Sequence, residues 1–401
     1  MRMGRTLIAF GCGAPEISKS QWQDPSDILT VLTIIGGDIV QGALAQLVSS
    51  HPRPFTPVAF SFGWIAWSFS AIIAAIGSRR LMPMPDFPCT LIEVDTGYAR
   101  DVNSWTLSRL VRDYELPDEI DGKEYDKSRG LTIAFFDTDE KKAIKIPDRD
   151  WVYWTGTAVI ILQHCVAIIP GVLHGNWLIL ILTFGGTILV QLHAALPQWQ
   201  QELWNAGTVK EGKSEVVCLT QGNGSQYVMV VRSKGGSLRL PHIAAARTVQ
   251  SRATVPLTSL LAVLWLVHLF TVQGVKNDPW YLLLIGALGM VQNAIASGAR
   301  RTPQALGFHL VAGEVVHDDK VMKAIQKAEG TEPKTGLALL DTFFPGGLRP
   351  DEKQWKDDMT AQRQREDERE GGNTVQVQVQ VQMPVPQPAP VAENVEPPRT
   401  P

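Results

Sequence analysis

The sequence has few cysteines, little net charge and no recognisable catalytic motif. Its four cysteines, Cys12, Cys89, Cys165 and Cys218, are widely separated and form no CxxC or Cys/His cluster, which argues against a disulfide framework or a zinc site. A formal net charge of −3 over 401 residues gives no reason to expect a nucleic-acid partner. The sequence shows no GxSxG, HExxH, P-loop or dinucleotide fingerprint in a suitable setting. No catalytic residue, cofactor or metal site is therefore predicted, and an enzyme is the less favoured class.

Charged residues are almost missing from several long stretches, although the average composition resembles that of a soluble protein. Hydrophobic residues make up 45% of the chain and charged residues 19%. The two classes occupy different stretches, whereas a globular domain mixes them on the scale of a few residues. An apolar stretch of about 20 residues can cross the hydrocarbon core of a bilayer as a helix. The pattern predicts a multi-pass membrane protein.

Six windows have the length and composition of transmembrane helices. Buried helices of a soluble protein are the alternative, but the last four windows are too long and too evenly apolar for that class. The first window contains Asp38, and the second is rich in serine. The predicted spans are Ile28–Val48, Phe55–Ser78, Trp151–Leu173, Asn176–Leu196, Val255–Val275 and Pro279–Ala299.

Lysine and arginine alternate between the connections of these windows. The 79–150 and 197–254 connections carry twelve and seven, whereas the loop after the first window has only Arg53 and the last loop only Lys276. Because lysine and arginine accumulate in cytosolic loops, the long connections and both termini are predicted to be cytosolic. The pattern does not distinguish the plasma membrane from membranes of the secretory pathway.

The cytosolic regions are predicted to contain a small α+β element. Thr90–Val94 and Leu131–Phe136 have the composition of strands, and Ser104 is placed to cap a helix that ends near residue 115. Two β-rich runs, Glu215–Thr220 and Gln226–Arg232, flank a GNGS sequence typical of a tight hairpin.

The remaining segments are predicted to be short connections or tails. Residues 1–27 form a cytosolic N-terminal segment and residues 300–350 a cytosolic juxtamembrane segment. Residues 351–401 combine dense mixed charge, a Val-Gln repeat and a proline-rich end, which predicts a disordered tail. Asn223-Gly224-Ser225 is a glycosylation sequon, and in this topology it faces the cytosol and stays unmodified.

Polar residues inside the predicted spans are the candidate functional residues. In the first window, Asp38, Gln41 and Gln46 fall on one helical face, and aliphatic residues lie opposite. That polar face is expected to contact protein or water, because a charged carboxylate at a helix centre opposes insertion. The intramembrane candidates are Asp38, Gln41, Gln46, Gln163, His164, Gln191, His268, Gln292 and Asn293.

Three of these candidates, Asp38, His164 and His268, are predicted to lie near the same depth. Aspartate and histidine together could form a proton relay, or two histidines and a carboxylate could hold a metal ion. The structural alternative is that each side chain bonds a neighbouring helix, which stabilises a bundle by about 0.6 kcal/mol per bond. A shared depth does not show that the three side chains meet.

Several phrases give the chain a family resemblance. They are GDIVQGALAQL at 36–46, PVAFSFGW at 57–64, RLMPMPD at 80–86, LPQW at 196–199, LTQGNGSQYVMVV at 219–231 and GMVQN at 289–293. Together they resemble uncharacterised multi-pass membrane proteins of filamentous fungi, over residues 27 to 310. The resemblance implies a shared GNGS hairpin and a shared polar face on the first helix, and it implies no activity.

The predicted fold is an all-α membrane bundle of six helices with a small cytosolic α+β element. Three functional classes fit this fold. A membrane-anchored interaction or scaffold protein is favoured by the structured loops and tail, which offer surfaces to protein partners. A transporter or channel for protons or small solutes would need a continuous polar cavity, and an intramembrane enzyme would need a converging pocket. The lipid bilayer is the one partner that the sequence itself predicts.

Overall fold

The computed structural model describes residues 36–48, 55–120, 122–247 and 251–381. It divides the chain into two compact units, Met1–Pro345 and Gly346–Pro401. The helices are α1 (Gly37–Leu47), α2 (Gly63–Ile76), α3 (Trp105–Asp113), α4 (Trp151–His174), α5 (Leu178–Ala194), α6 (Pro197–Leu203), α7 (Leu240–Ala245), α8 (Thr254–Gln273), α9 (Pro279–Gly298), α10 (Val321–Thr331), α11 (Thr335–Phe343) and α12 (Pro350–Val381). The strands are β1 (Thr90–Glu93), β2 (Ala99–Asp101), β3 (Glu119–Ile120), β4 (Lys123–Glu124), β5 (Leu131–Thr138), β6 (Glu215–Thr220), β7 (Tyr227–Ser233) and β8 (Leu310–Asp318).

Three described helices, α4, α8 and α9, are long and apolar enough to cross a membrane. A fourth candidate consists of α5 and α6, which are bent by 43° where Pro197 begins α6. Large apolar side chains such as Ile181, Val263 and Phe270 are exposed on their outer faces, as expected for helices in lipid. Six spans, as predicted from the sequence, are not supported by the described part of the chain.

The first two predicted spans differ most from the expected helices. In the first window, α1 covers 11 residues, and residues 28–35 lie outside the described part. In the second window, residues 55–62 are not helical, and the 14-residue helix α2 begins only at Gly63. Pro57 disfavours a helical conformation at Thr56 and has no N–H group to donate. Side chains of the neighbouring helices bind the backbone of residues 55–62 instead. The prediction of one continuous helix from Phe55 to Ser78 is therefore wrong.

A six-stranded sheet dominates the α+β part, in the order β2-β1-β6-β7-β5-β8. All neighbours are antiparallel except β5 and β7, which run parallel with Thr132 opposite Tyr227. The β6–β7 hairpin lies where the sequence predicts it, and Gly222 and Gly224 in its turn have φ angles of 90°. A β-bulge in β8 places two residues opposite Phe135.

The sheet takes its strands from three separate chain segments. The first segment supplies β1, β2 and β5 together with α3, whose N-cap Ser104 accepts a hydrogen bond from the Leu107 N–H. The second supplies the hairpin, and the third supplies β8, followed by α10 and α11. The 300–350 region is thus part of the sheet domain and not a simple juxtamembrane connection. Its short, charge-rich runs carry a weaker periodic pattern than the hairpin does.

The second unit consists, in its described part, of the helix α12. The sequence predicts a disordered tail from residue 351, whereas residues 350–381 are helical and residues 382–401 lie outside the described part. Pro350 is suited to the first helical position, and Asp351 and Glu352 in the first turn favour the helix dipole. Glutamate, lysine, arginine and glutamine, which follow, are good helix formers.

Candidate functional site

Residues 55–76 form a hairpin, made of a non-helical arm (55–62) and α2. We call the ends of the bundle helices that connect to the sheet domain the sheet end. The arm starts there, because Thr56 pairs with Gln191 near the end of α5. The chain leaves α2 at the same end, where the Leu81 N–H donates to Glu202 in α6 (2.7 Å). Both ends of the hairpin therefore lie on one side of the bundle.

The depth of the hairpin follows from its neighbours on α9. Ala59 lies beside Asn293, and the ring of Phe62 lies against Gly286. Those seven residues of α9 rise about 10 Å, and three residues of the arm can span about the same distance. Gly286, against which the Phe62 ring lies, is twelve residues from Gly298 at the sheet end, a depth of about 18 Å. Since α9 has 20 residues and a length of about 30 Å, the hairpin reaches past the middle of this helix.

The side chain of Gln191 replaces a neighbouring strand at the start of the arm. Its Oε1 accepts a hydrogen bond from the Thr56 N–H (2.9 Å), and its Nε2 donates to the Thr56 carbonyl (2.8 Å). The primary amide thus supplies one donor and one acceptor, as a peptide group does. The backbone N–H and carbonyl of Thr56 are thereby both paired.

Asn293 of α9 makes the same reciprocal pair one turn deeper. Its Oδ1 accepts from the Ala59 N–H (3.1 Å), and its Nδ2 donates to the Ala59 carbonyl (2.9 Å) and to the Ser61 hydroxyl (3.3 Å). Gln163 of α4 follows, because its Nε2 donates to the carbonyls of Phe60 (2.7 Å) and Ile285 (2.8 Å). Three of the candidate residues are therefore brought together along the arm. Unpaired backbone groups are costly in a water-free interior, and these amides remove that cost.

Glycines on the surrounding helices make room for the arm. A Cβ at Gly289 of α9 would lie 1.8 Å from the Phe60 carbonyl oxygen, and one at Gly156 of α4 would lie 2.2 Å from the Pro57 carbonyl oxygen. A Cβ at Gly186 of α5 would lie 2.6 Å from the Phe60 ring. Any larger residue at these three positions would displace the arm.

An aromatic cluster surrounds the deep part of the arm. Trp265 of α8 stacks on Phe60 (ring centroids 6.1 Å apart) and on Trp64 (5.8 Å). His268 packs edge-on against Phe60 at 5.5 Å, and the Trp265 Nε1–H donates to His193 Nδ1 (3.3 Å). The Nε2 atoms of both histidines are buried without a hydrogen-bond partner among the described residues. The cluster fixes the tip of the hairpin by packing.

The polar face predicted for the first helix is divided in the structure. Gln46 is buried and donates to the Ala299 carbonyl (3.1 Å), and Gln41 donates to the Leu81 carbonyl (2.8 Å). Gly42 lies against Ser297. Asp38, in contrast, is exposed in the first turn of α1 and does not turn toward the bundle. Asp38 thus differs from Gln41 and Gln46, which lie further along the same face and bind the bundle, because it lies in the first turn of the helix.

The structure does not bring Asp38, His164 and His268 together. His164 Nδ1 bonds the Ile160 carbonyl of its own helix (2.8 Å), and its ring packs against Phe184. Neither histidine is hydrogen-bonded to the other or to Asp38 in the described ranges. No group of three or more His, Cys, Asp or Glu side chains there has the arrangement of a metal site. Gln292 donates to the Thr155 hydroxyl (3.2 Å), a single bond between α9 and α4.

Arg301 joins the bundle to the sheet domain. Its guanidinium binds the Asp150 carboxylate in a bidentate pair, Nε to Oδ2 at 2.7 Å and Nη2 to Oδ1 at 2.9 Å, and it also donates to the Gln46 carbonyl. The Arg301 N–H donates to Asp113 of α3 (3.1 Å). Asp150 caps α4 by accepting from the Tyr153 N–H. The buried guanidinium thus joins α1 and α4, and the backbone N–H of the same residue joins α3 to the end of α9.

Arg109 of α3 forms a second buried contact at this junction. Its Nη2 lies 2.9 Å from Asp86 and donates to the Ser297 carbonyl at the end of α9 (2.8 Å), while its guanidinium lies over the Trp105 ring. Burial lowers the pKa of Arg109, nearby Arg112 lowers it further, and Asp86 opposes both effects. The group remains a cation at neutral pH, so this contact is an ion pair.

Sequence reasoning missed the glycines and His193. The glycines repeat at short spacing, as in Gly185-Gly186 and in the Gly286/Gly289 pair, which is a signal for close backbone approach. His193 lies at the end of its predicted span, where a histidine is ordinary. No local pattern identified it as the partner of Trp265.

No protein-family model, curated protein or solved structure matches this chain. The resemblance to fungal membrane proteins therefore stays a prediction. The geometry described above is the only basis for assigning a function.

Proposed function

We propose that the protein is a membrane-anchored interaction or scaffold protein. The bundle serves as an anchor that holds the hairpin, and it carries the six-stranded sheet domain as a fixed platform for protein partners. The buried Arg301–Asp150 pair and Arg109 support a rigid connection between the anchor and the platform.

The observation that carries this proposal is the use made of the bundle amides. Gln191 and Asn293 each bind the N–H and the carbonyl of one arm residue, and the Gln163 Nε2 donates to the Phe60 carbonyl. A transport path needs polar groups that are available to a moving solute or proton. The amide groups that bind the arm instead meet the structural demand of non-helical backbone inside a helix bundle.

We further propose that the sheet domain faces the cytosol. The lysines and arginines of the 79–150 and 197–254 connections support this side. A reporter inserted at Gly212 should respond as cytosolic, and glycosylation of Asn223 in a native membrane fraction would contradict the orientation. Because α1 ends at the sheet end, a complete crossing by residues 28–48 would place the preceding residues on the opposite side. A second reporter before Met1 measures which arrangement holds.

A flux measurement tests the scaffold against its main rival. Liposomes carrying an internal pH dye are prepared with the wild type, Asp38→Asn, His164→Ala or no protein. The scaffold proposal expects identical proton leak in all four preparations. A leak above that of empty liposomes that Asp38→Asn or His164→Ala reduces would contradict it.

The second candidate function is a transporter or channel, and one observation favours it. Non-helical backbone and helix starts deep in a bundle are typical of substrate and ion sites in such proteins. Solute flux that depends on the hairpin, tested with an Asn293→Ala variant that still folds, would support this candidate. If neither the wild type nor the Asn293→Ala variant shows solute flux, the hairpin has a structural role alone.

A further inference from the structure

Two exposed arginines lie at the sheet end of the α2–α8 pair. Gln198 of α6 connects their positions, because its Nε2 donates to the Arg79 carbonyl (3.4 Å) and its Oε1 accepts from the Ser251 N–H (3.0 Å) and the Thr254 hydroxyl (3.0 Å). Arg252 stands between the last two residues. Arg79 and Arg252 are therefore neighbours across this end of the bundle, at the boundary between the apolar helices and the sheet domain.

Neither guanidinium is neutralised within the described part of the chain, where no ion pair or side-chain hydrogen bond involves it. The nearby Glu202 does not supply the missing charge, because its carboxylate accepts from the Leu81 and Met82 N–H groups and from Gln198. Adjacent Arg80 is different, since it donates to the Asn103 carbonyl (2.6 Å). Among the described residues, these two positive charges therefore have no counter-charge.

Arg79 adopts a backbone conformation that an arginine adopts rarely. Its φ angle is 57°, in the left-handed region, two residues after the C-cap of α2. Glycine is the usual residue for such a conformation near a helix end, and a side chain there costs about 1 kcal/mol. A strained residue at such a position suggests that its side chain has a task of its own.

The surface directly beside the arginines is aliphatic. Ile73 and Ile76 on α2 are 73% and 62% exposed, and Leu260 on α8 is 55% exposed. All three lie within about three helical turns of an arginine. A ligand that covers both features needs an anionic group next to hydrocarbon chains.

We propose that Arg79 and Arg252 form a binding site for the headgroup of an anionic phospholipid, with its acyl chains along the exposed face of α2 and α8. The guanidinium groups bind the phosphate through charge-assisted hydrogen bonds. Each cationic side chain near an anionic headgroup contributes about fivefold in affinity, so the two together contribute about thirtyfold. The site is independent of whether the protein acts as a scaffold or as a transporter.

The test uses the full chain in nanodiscs of phosphatidylcholine with or without phosphatidylglycerol. Native mass spectrometry measures retained phosphatidylglycerol, and thermal unfolding measures its stabilising effect. The variants are Arg79→Gly, Arg252→Gln and both together. Arg300→Gln is the matched control, because Arg300 is also exposed at this end but is paired with Glu115 (2.7 Å).

We expect each single variant to lose about fivefold in phosphatidylglycerol retention and the double variant about thirtyfold, with Arg300→Gln unchanged. Arg79→Gly should also unfold at a higher temperature in pure phosphatidylcholine, because it relieves the backbone strain, which separates lost binding from lost folding. Unchanged retention in the double variant would overturn the proposal. So would an equal stabilisation by inorganic phosphate or a soluble acidic peptide, which would indicate a site that does not require a lipid.

Discussion

Two non-helical stretches of similar length lie in very different surroundings. Strand β7 (Tyr227–Ser233) is paired on both sides, with β6 and with β5. The arm (55–62) lies among helices and has no neighbouring strand; its groups are paired by the side chains of Gln191, Asn293 and Gln163. Backbone pairing in a sheet is independent of side-chain identity, whereas the arm depends on particular residues. Non-helical backbone within a helix bundle therefore requires particular side chains to pair its N–H and carbonyl groups.

The largest effect is expected at Arg301, which joins the helix bundle to the sheet domain. Arg301→Met should destabilise the protein by about 3–5 kcal/mol, because it leaves the buried Asp150 carboxylate without its partner. Arg300→Met is the matched control, since its exposed pair with Glu115 contributes about 0–1 kcal/mol. Thermal unfolding in detergent measures both. Equal effects of the two substitutions would show that the junction is not held by Arg301.

The next test removes the space that the arm occupies. Gly289→Ala should destabilise the bundle by about 2–3 kcal/mol, because its Cβ would overlap the Phe60 carbonyl. Gly298→Ala is the same chemical change in the same helix, at a position with nothing within 4 Å of the new atom. It should be neutral or stabilise slightly, since alanine favours a helix. A neutral Gly289→Ala in the same unfolding assay would argue against the packed arm.

Removing one amide tests the dependence on side chains directly. Asn293→Ala should cost about 1–3 kcal/mol, because it leaves the Ala59 N–H buried and unpaired, whereas the Ala59 carbonyl keeps the hydrogen bond from the Trp64 indole N–H (3.0 Å). Gln292→Ala, next to it, removes one bond to a hydroxyl and should cost about 1 kcal/mol. Hydrogen–deuterium exchange should increase in residues 55–62 of Asn293→Ala and remain slow in β7. Faster exchange in both stretches would instead indicate general unfolding.

The smallest effect is expected at Asp38. Asp38→Asn should change the free energy of unfolding by less than about 0.5 kcal/mol, because the side chain is exposed and has no bonding partner among the described residues. Gln46→Leu, at a buried position of the same helix, should cost about 1 kcal/mol or more. Unfolding in bilayer nanodiscs measures both. A larger loss at Asp38 than at Gln46 would restore the original interpretation of this face.

The sequence predicted the parts of the fold that depend on local patterns. The long apolar helices, the Ser104 cap and the β6–β7 hairpin all lie close to their predicted positions. The second window misled because composition measures how apolar a segment is and not whether it is helical. Its residues are buried in protein, so a non-helical arm is as apolar as a helix would be.

The sequence identified the polar residues of the candidate site but not the backbone that they bind. Gln163, Gln191 and Asn293 stood out as polar groups in apolar windows, and all three contact the arm. Their common partner could not be inferred, because it is backbone, which carries no signature in the sequence. The separation of Asp38 from the two histidines could not be predicted from their depth along the helices. Depth does not determine which face of a helix contacts a neighbouring helix.

The parallel pairing of β5 with β7 has a consequence for biosynthesis. The connection between these strands contains α4 and α5, and the last strand, β8, follows α8 and α9. At about 5–20 residues per second, a ribosome needs roughly 10–35 seconds to proceed from β5 to β8. During that time the edge of β5 that β8 will cover is open to other chains. The sheet can therefore be completed only after the helices that precede β8 have been synthesised and placed. A chaperone that shields the edge of β5 during translation should raise the yield of folded protein.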